Sequence, residues 1–286
     1  MSQNLFASRK WFNRLMLGLS GAAAGMGIVL LALILGYIVA NGIAYLNLDL
    51  ITETAKPAGE AGAGMRDEII GSLILVGLAS IIALPVGLLA GVFLSDIASP
   101  RKASAIRFAA DILAGVPSIV VGVFAYAVIV RPMHSYSALA GGAALAIIMV
   151  PIVARTVEES LRLVPNSMRE AALALGITRW RSVLSVLIPG ALTGIITGIM
   201  LAVARIAGET APLLFTAFGN YFGFDDLTRP IAALPISIYR YALSAYDDQN
   251  QLAWAGALLL VVLVLGINIL VRRLSRRGQT MDDRTG

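Results

Sequence analysis

Long apolar stretches alternate with short polar segments along most of the chain. Six apolar runs are each about 20 residues or longer, the length that a helix needs to cross the hydrocarbon core of a bilayer. They lie at approximately residues 15–45, 69–94, 108–130, 138–157, 183–218 and 252–271. The pattern therefore predicts an all-α membrane protein with six transmembrane helices, and an even number of spans places both termini on the same side.

The composition supports this class and changes how the charge is interpreted. The chain is 58% hydrophobic and only 14% charged, whereas soluble domains carry roughly 25% charged residues. A net charge of +5 could suggest a nucleic-acid partner, but basic residues also flank membrane spans on the cytoplasmic side. We therefore predict a membrane protein that does not bind nucleic acid.

The positions of Lys and Arg predict the orientation. Most of the 22 Lys and Arg residues lie in the segments that share one side with the two termini, and the positive-inside rule assigns that side to the cytoplasm. The chain is then divided into a cytoplasmic N-terminus (1–14), a first transmembrane helix (15–46), a periplasmic connector (47–68), a five-helix core (69–271) and a cytoplasmic tail (272–286). The loop at 165–189 lies inside the core and faces the cytoplasm.

This loop is polar and arginine-rich, yet its pattern predicts helices. Ser167 and Glu170 have the spacing of a capping box, in which each side chain binds a backbone N–H at the start of a helix. Gly176 is a typical residue just beyond a helix C-terminus. Thr178 can cap a second helix that leads into the next apolar run.

The first loop helix has one apolar face. Its members follow the i, i+3, i+4, i+7 spacing of a helix surface: Met168, Ala171, Ala172 and Leu175. A helix of about nine residues is marginally stable alone in water. The face therefore needs a partner, which is either another loop of this chain or another protein.

The fifth apolar run begins with small residues at every fourth position. They are Gly190, Gly194, Gly198 and Ala202. Small residues at this spacing let a neighbouring helix approach closely inside a membrane, so we predict a helix-packing stripe.

Two opposite charges follow this stripe within the same run. Arg205 and Glu209 are four residues apart, and an arginine at membrane depth must face protein or water. The pair either neutralises itself or forms an anion site in a translocation pathway, where the planar guanidinium group suits an oxyanion. Ala211-Pro212 then breaks the helix, which leaves backbone groups free near Glu209 and Thr210 to line a cavity.

Two further residues are weaker candidates for the same pathway. Arg155, near the end of the fourth run, is either an interfacial residue whose charged end reaches the membrane surface or a second anion contact. In the third run Pro117 predicts a kink, and the hydroxyl group of Ser118 could contact the substrate.

No catalytic, metal or cofactor site is predicted. None of the three lysines follows a glycine, so the GxxxxGK[ST] loop that binds nucleotide phosphates is absent. The chain has one histidine and no cysteine, and it lacks the HExxH motif. We predict that it is not an enzyme.

The loop resembles a known motif. Glu170-Ala171-Ala172, then Gly176, then Val186-Leu187-Ile188-Pro189 is similar to the EAA loop of binding-protein-dependent ABC-importer permeases, with Val186 and Ile188 replacing Ile and Leu. The segments at 204–217 and 113–122 are similar to the phosphate permeases of that family. The resemblance covers about residues 65–275.

This resemblance implies a fold, partners and site residues. It implies an ABC-importer type I permease bundle with a cytoplasmic coupling helix, located in the bacterial inner membrane. The implied partners are a second permease subunit (PstC-like), two ATP-binding subunits and a periplasmic phosphate-binding protein. It also favours Arg205, Glu209 and Arg155 for the passage of phosphate.

Other functions stay open at this point. A permease for sulfate or molybdate would carry the same loop. A stand-alone secondary transporter would need its own coupling-ion site but no exposed amphipathic loop helix. A membrane sensor that reports phosphate to a kinase is a further possibility, on which the sequence is silent.

Overall fold

The structure is a computed structural model that describes residues 2–60, 62–220 and 223–282. Its α-helices are α1 (Ser2–Gly42), α2 (Leu48–Thr52), α3 (Arg66–Val92), α4 (Pro100–Gly115), α5 (Ser118–Ala125), α6 (Arg131–Met133), α7 (Ala138–Arg162), α8 (Asn166–Ala174), α9 (Arg179–Ser182), α10 (Ile188–Ala207), α11 (Ala211–Thr216), α12 (Leu234–Ala242) and α13 (Asp247–Asp282). Three π-helical segments, Phe93–Ile97, Tyr126–Val130 and Val183–Leu187, extend or join them. The only β-type pairing in the described residues is a bridge between Phe218 and Ile231.

The predicted all-α membrane class is confirmed. Five continuous helical stretches are long and apolar enough to cross a membrane, and they span Arg9–Tyr45, Arg66–Ile97, Ala138–Arg162, Arg179–Ala207 and Asp247–Ile269. A sixth crossing is formed only if the bent pair Pro100–Gly115 and Ser118–Met133 counts as one span.

The third predicted span differs from the expectation of a kinked but continuous helix. Its two halves meet at an angle of 97°. Val116 and Pro117 are extended, with ψ angles of 131° and 133°. Proline sterically disfavours helical geometry in the residue before it, and here the helix stops completely, so the span is broken.

Helix α7 lies at the centre of the bundle and packs closely against α3. A Cβ atom added to Gly87 would lie 2.7 Å from the Val153 Cβ, and one added to Gly91 would lie 2.6 Å from the Val157 Cβ. Together with Ala79 and Ala83, which are completely buried, these glycines form a small-residue stripe on α3. Close packing of this kind stabilises helix pairs where no water drives apolar burial.

Helix α1 lies at the periphery. Its contacts are with α13, where Tyr37 and Trp254 meet edge to face at 5.2 Å between ring centroids. None of the residues in its most apolar window is buried by this chain. The surface of α1 is therefore free to face lipid or another subunit.

The C-terminal helix is longer than the apolar run that predicts it. α13 continues through residues 272–282, a segment that the sequence assigns to the cytoplasmic tail. Residues 283–286 of that tail lie outside the described residues.

Candidate functional site

A cleft of about 740 Å³ opens in the wall of the bundle where two helices are interrupted. One side is the break between α4 and α5, which contributes Val116 and Ser118. The other side is the end of α10, which contributes Arg205 and Glu209. The structure thus brings together three of the predicted pathway residues, Ser118, Arg205 and Glu209, from parts of the chain about ninety positions apart.

The cleft lies at the middle of the membrane-spanning bundle. Its floor includes Ile148 and Ile152, which are halfway along the 25-residue helix α7. Arg205 lies on α10 opposite these residues. The Arg205 side chain therefore lies level with the middle of α7, a position the sequence alone did not resolve.

Arg205 and Glu209 form a loose pair. The Arg205 Nη2 and Glu209 Oε1 atoms are 3.4 Å apart, and the side chains are 57% and 13% exposed. Among the described residues, Arg205 has no second carboxylate partner. A guanidinium group that is more than half exposed and has one loose carboxylate partner can bind an additional anion, because its charge is only partly satisfied by the described residues.

The helix break after Arg205 is more ordered than predicted. The N–H groups of Gly208 and Glu209 donate to the carbonyls of Arg205 and Ile206 at 3.4 and 3.2 Å, and the Thr210 carbonyl accepts from the Leu214 N–H at 3.2 Å. The expectation of free backbone groups is therefore wrong for the Glu209 N–H and the Thr210 carbonyl, because the turn after α10 satisfies the first and the first turn of α11 satisfies the second. Thr210 precedes α11 and does not line the cleft.

Arg155 does not line the cleft either. Its guanidinium group lies 3.3 Å from Asp111 on α4, 3.2 Å from Glu158 and 3.8 Å from Glu159. Three carboxylates surround it, so its charge is already compensated. In this structure Arg155 joins α4 to α7, and it is separate from the residues around Arg205.

The carboxylate of Glu158 is the feature that the sequence analysis missed. Its side chain is 1% exposed and contacts three arginines: Arg107 at 2.6 Å, Arg162 at 3.0 Å and Arg155 at 3.2 Å. On α7, Arg155 precedes Glu158 by three residues and Arg162 follows it by four, a spacing that predicts ion pairs on one helix face. Arg107 comes from α4, 51 positions away, and no local pattern connects it to Glu158.

The loop at 165–189 contains the predicted helix, but the predicted cap is wrong. Helix α8 starts at Asn166, with Pro165 as the N-cap and no side-chain cap hydrogen bond. Pro165 takes the N-cap position two residues earlier than expected, so Ser167 lies within the first turn. Thr178 does precede α9, also without a side-chain cap bond.

The predicted C-terminus of α8 is correct in detail. Gly176 has a φ angle of 75°, in the left-handed region that glycine adopts without strain. Its N–H donates to the Leu173 carbonyl at 3.0 Å, and the Ile177 N–H donates to the Ala172 carbonyl at 3.1 Å. These two bonds form a Schellman motif, which stops the helix and turns the chain toward α9.

Most of the apolar face of α8 has no partner within this chain. Leu175 is 80% exposed and Met168 is 43% exposed. Ala171 and Glu170 are also exposed, and only Ala172 is buried. Of the two partners considered for this face, the loops that the structure describes do not cover it.

The small-residue stripe of α10 faces α7. A Cβ atom on Gly194 would lie 2.7 Å from the Ser160 Oγ, a Cβ atom on Gly198 would overlap the Thr156 side chain, and one on Gly190 would lie 3.6 Å from Val164. Ala202 is completely buried. The stripe runs from the loop toward Arg205, so α10 is held against α7 along this length.

The fold and these features define a membrane subunit of a transport system. Residues 83–279 match the family described as binding-protein-dependent transport system inner membrane component, and the chain belongs to that family. It is 47% identical over 269 residues to the phosphate transport system permease protein PstA of Yersinia pestis, covering 93% of this chain and 90% of that protein. It is 45% identical over 273 residues to the PstA protein of Haemophilus influenzae, covering 95% and 96%.

A solved structure shares the fold. An inward-facing structure of the MetNI methionine ABC transporter aligns with a TM-score of 0.62 and 23% identity, covering 74% of this chain and 96% of that chain. At this level of identity the likeness establishes the fold only. The fold is that of an ABC-importer permease, and the protein is a multi-pass inner-membrane protein.

Proposed function

We propose that this chain is the transmembrane permease subunit of an ATP-driven importer of inorganic phosphate. The observation that carries the proposal is the Arg205–Glu209 pair, which lies in a mid-depth cleft with the guanidinium group 57% exposed. The two PstA relatives are named as phosphate transport permeases and cover nearly the whole chain. Their names support the same cargo.

The chemistry of the pair suits phosphate. The guanidinium group of Arg205 donates two parallel hydrogen bonds to phosphate oxygens. Glu209 accepts a hydrogen bond from a phosphate hydroxyl group, because phosphate keeps a proton near neutral pH. Sulfate has no proton to donate and would bring its oxygens against the carboxylate, so Glu209 selects against it. This favours phosphate over another oxyanion such as sulfate or molybdate.

The cleft forms one wall of the pathway. Arg205 and the cleft are open on one side of this chain, so a complete conduit needs a second wall. A second permease subunit (PstC-like) supplies it in our proposal. Ser118 lies on the rim formed by α5 and serves as a hydroxyl contact for the anion.

The exposed face of α8 is the contact for an ATP-binding subunit. Leu175 and Met168 extend from the cytoplasmic loop, and Gly176 fixes the end of the helix. Two such subunits bind and hydrolyse ATP, and a periplasmic phosphate-binding protein delivers the substrate from the other side. The permease itself catalyses no reaction, and both of its termini lie in the cytoplasm.

The α8 face also separates this function from a stand-alone secondary transporter. A transporter that works alone does not need an uncovered apolar helix face on a cytoplasmic loop. If phosphate uptake persisted after removal of the ATP-binding subunits, the secondary-transporter function would be favoured instead.

Replacing Arg205 tests the proposal in the reconstituted complex. Arg205→Gln removes a charge-assisted donor, and we expect ATP-dependent phosphate uptake into proteoliposomes to fall about 10- to 100-fold while the complex still assembles. Arg229→Gln is the matched control, since Arg229 is 68% exposed on a loop and pairs with Asp225 at 3.7 Å. Normal uptake by Arg205→Gln would refute the anion site.

A further inference from the structure

One arginine of α8 points away from the exposed apolar face and into the bundle. The Arg169 guanidinium group pairs with the Asp96 carboxylate, donates to the Leu161 carbonyl at 2.8 Å and donates to the Ser95 Oγ at 3.4 Å. The Arg169 and Asp96 side chains are 20% and 14% exposed. The neighbouring Glu170 is exposed, so adjacent residues of α8 face in opposite directions.

These contacts join three parts of the molecule at one point. Arg169 belongs to the loop helix α8, Asp96 and Ser95 to the π-helical end of the second span, and Leu161 to the end of α7. α7 is the helix against which α3 and α10 pack. The Arg169 side chain therefore links α8 directly to the second and fourth spans.

The end of the second span is suited to such a contact. Residues Phe93–Ile97 form a π-helical turn, closed by a hydrogen bond from the Ala98 N–H to the Phe93 carbonyl at 2.8 Å. π-Helical turns are rare and occur frequently at functional sites. Arg169 contacts two residues of the second span, Ser95 and Asp96, and both lie in this turn.

The ion pair uses only part of its bonding capacity. The Asp96 Oδ2 and Arg169 Nε atoms are buried, and neither has a hydrogen-bond partner in the described part of the chain. The Nε–H group lies on the opposite edge of the guanidinium plane from Nη1, so Nε cannot complete a parallel pair with Asp96 while Nη1 binds it. Satisfying either buried atom therefore requires a rearrangement of the pair. A groove of about 760 Å³ beside the pair, bordered by Leu173 and Trp180, gives the side chains space for it.

We infer that the Arg169–Asp96 pair transmits the movement of α8 to the second span during the ATP cycle. The inference rests on the proposed function, because it assumes that an ATP-binding subunit moves α8. Arg169 is a positioning residue in this scheme and does not touch the transported anion. Binding of the ATP-binding subunits depends on the exposed face, and coupling depends on the buried pair.

The first experiment measures the coupling ratio in proteoliposomes that contain the complete importer. For Arg169→Gln we expect the ATP-binding subunits to stay bound and ATP hydrolysis to continue, while phosphate transported per ATP falls about 5- to 100-fold, the range of typical coupling between sites. Arg181→Gln is the matched control, because Arg181 is an exposed arginine of the same loop that stacks on Trp180 at 5.4 Å. An unchanged ratio in Arg169→Gln, or loss of the ATP-binding subunits, would overturn the inference.

A double-mutant cycle tests whether the two residues act as a unit. Asp96→Asn should lower the ratio as Arg169→Gln does, and the Asp96→Asn/Arg169→Gln double variant should be no worse than either single variant. The double variant buries no uncompensated charge. The coupling ratio can therefore still be measured with it if a single variant folds poorly. Multiplicative losses would mean that the residues act independently, which contradicts the inference.

A distance measurement gives a readout that does not depend on the cargo. The chain has no cysteine, so Ser99→Cys and Asn166→Cys introduce two exposed spin-label sites, one after the second span and one at the start of α8. With the pair intact, we expect one narrow distance distribution that shifts as a whole on addition of ATP. In Arg169→Gln the distance distribution should broaden. A distribution as narrow as that of the native pair would overturn the inference, even if phosphate proved not to be the cargo.

Discussion

The Arg107 Nε and the Glu158 Oε1 atoms are 2.6 Å apart and connect α4 to the centre of the bundle. Glu158 is almost completely buried and also forms ion pairs with Arg155 and Arg162. The bend in the third span leaves α4 without a continuous helix to hold it in place. This carboxylate therefore fixes the half of that span on which the cleft depends.

Glu158→Gln should destabilise the permease strongly. The substitution leaves three arginines around a neutral amide, and breaking a buried charge pair from one side costs about 3–5 kcal/mol. In a thermal unfolding experiment on the purified complex, the midpoint should fall by roughly 10 °C.

The neighbouring carboxylate provides the control for this prediction. Glu159 is 67% exposed and 3.8 Å from Arg155, so Glu159→Gln should cost less than about 1 kcal/mol. Equal effects of the two substitutions would show that burial of Glu158 is not what makes it important.

Gly198→Ala should weaken the contact between α10 and α7. The added methyl group overlaps the Thr156 side chain, and overpacking of this kind costs about 1–3 kcal/mol. Thermal unfolding of the purified complex would report the loss. Gly77→Ala is the control, since nothing lies within 4 Å of its added Cβ atom, and it should be neutral or stabilising by up to about 1 kcal/mol.

A second substitution should relieve part of this overlap. Thr156→Ser removes the methyl group that Gly198→Ala would meet and keeps the hydroxyl group, which donates to the Ile152 carbonyl at 2.8 Å. Thr156→Ser combined with Gly198→Ala should therefore be more stable than Gly198→Ala alone. If it is not, the close approach at this point does not limit stability.

Leu175→Asp should release the ATP-binding subunits without unfolding the permease. Leu175 is 80% exposed, so the charge costs little in the free chain, but it would be buried in the partner's contact surface. We expect affinity to fall at least about tenfold, measured by co-purification at graded concentrations. Leu243→Asp, at a leucine 69% exposed beyond α12, should leave the complex intact; loss of the subunits there as well would argue against a specific contact at α8.

Glu209→Gln should change selectivity more than assembly. An amide can donate a hydrogen bond to a fully deprotonated oxyanion, whereas the carboxylate repels it. In competition uptake assays, sulfate should inhibit phosphate uptake by Glu209→Gln at least about tenfold more strongly than by the native complex. Unchanged competition would remove Glu209 from the selection of the anion.

Local patterns predicted much of the architecture. The apolar runs gave the helical class and the spans, and the i, i+4 spacing placed Arg205 and Glu209 together. Gly176 gave the end of α8 because a positive φ angle has a strong residue preference. Each of these features depends on residues that are neighbours in the sequence.

Features that depend on distant residues were not predictable. Ser118 reaches the cleft because Pro117 breaks the third span, and the size of the bend is set by tertiary packing. Arg155 was an open candidate for the pathway, and its pairing with Asp111 on α4 became visible only in the fold. Ser167 is not the cap because the helix begins two residues earlier, with Pro165 at the N-cap position.

The length of α10 has a consequence for the cleft. Arg205 lies 17 residues beyond Ile188, which at about 1.5 Å per residue makes a rigid rod of about 26 Å. A tilt of about 10° at the Ile188 end would move the Arg205 end by about 4 to 5 Å over that length. Because the Glu209 N–H is bonded to the Ile206 carbonyl, Arg205 and Glu209 would move together with the end of α10. A small rotation of α10 would therefore change the distance between this pair and Ser118 on the other side of the cleft, and with it the contacts to a bound anion.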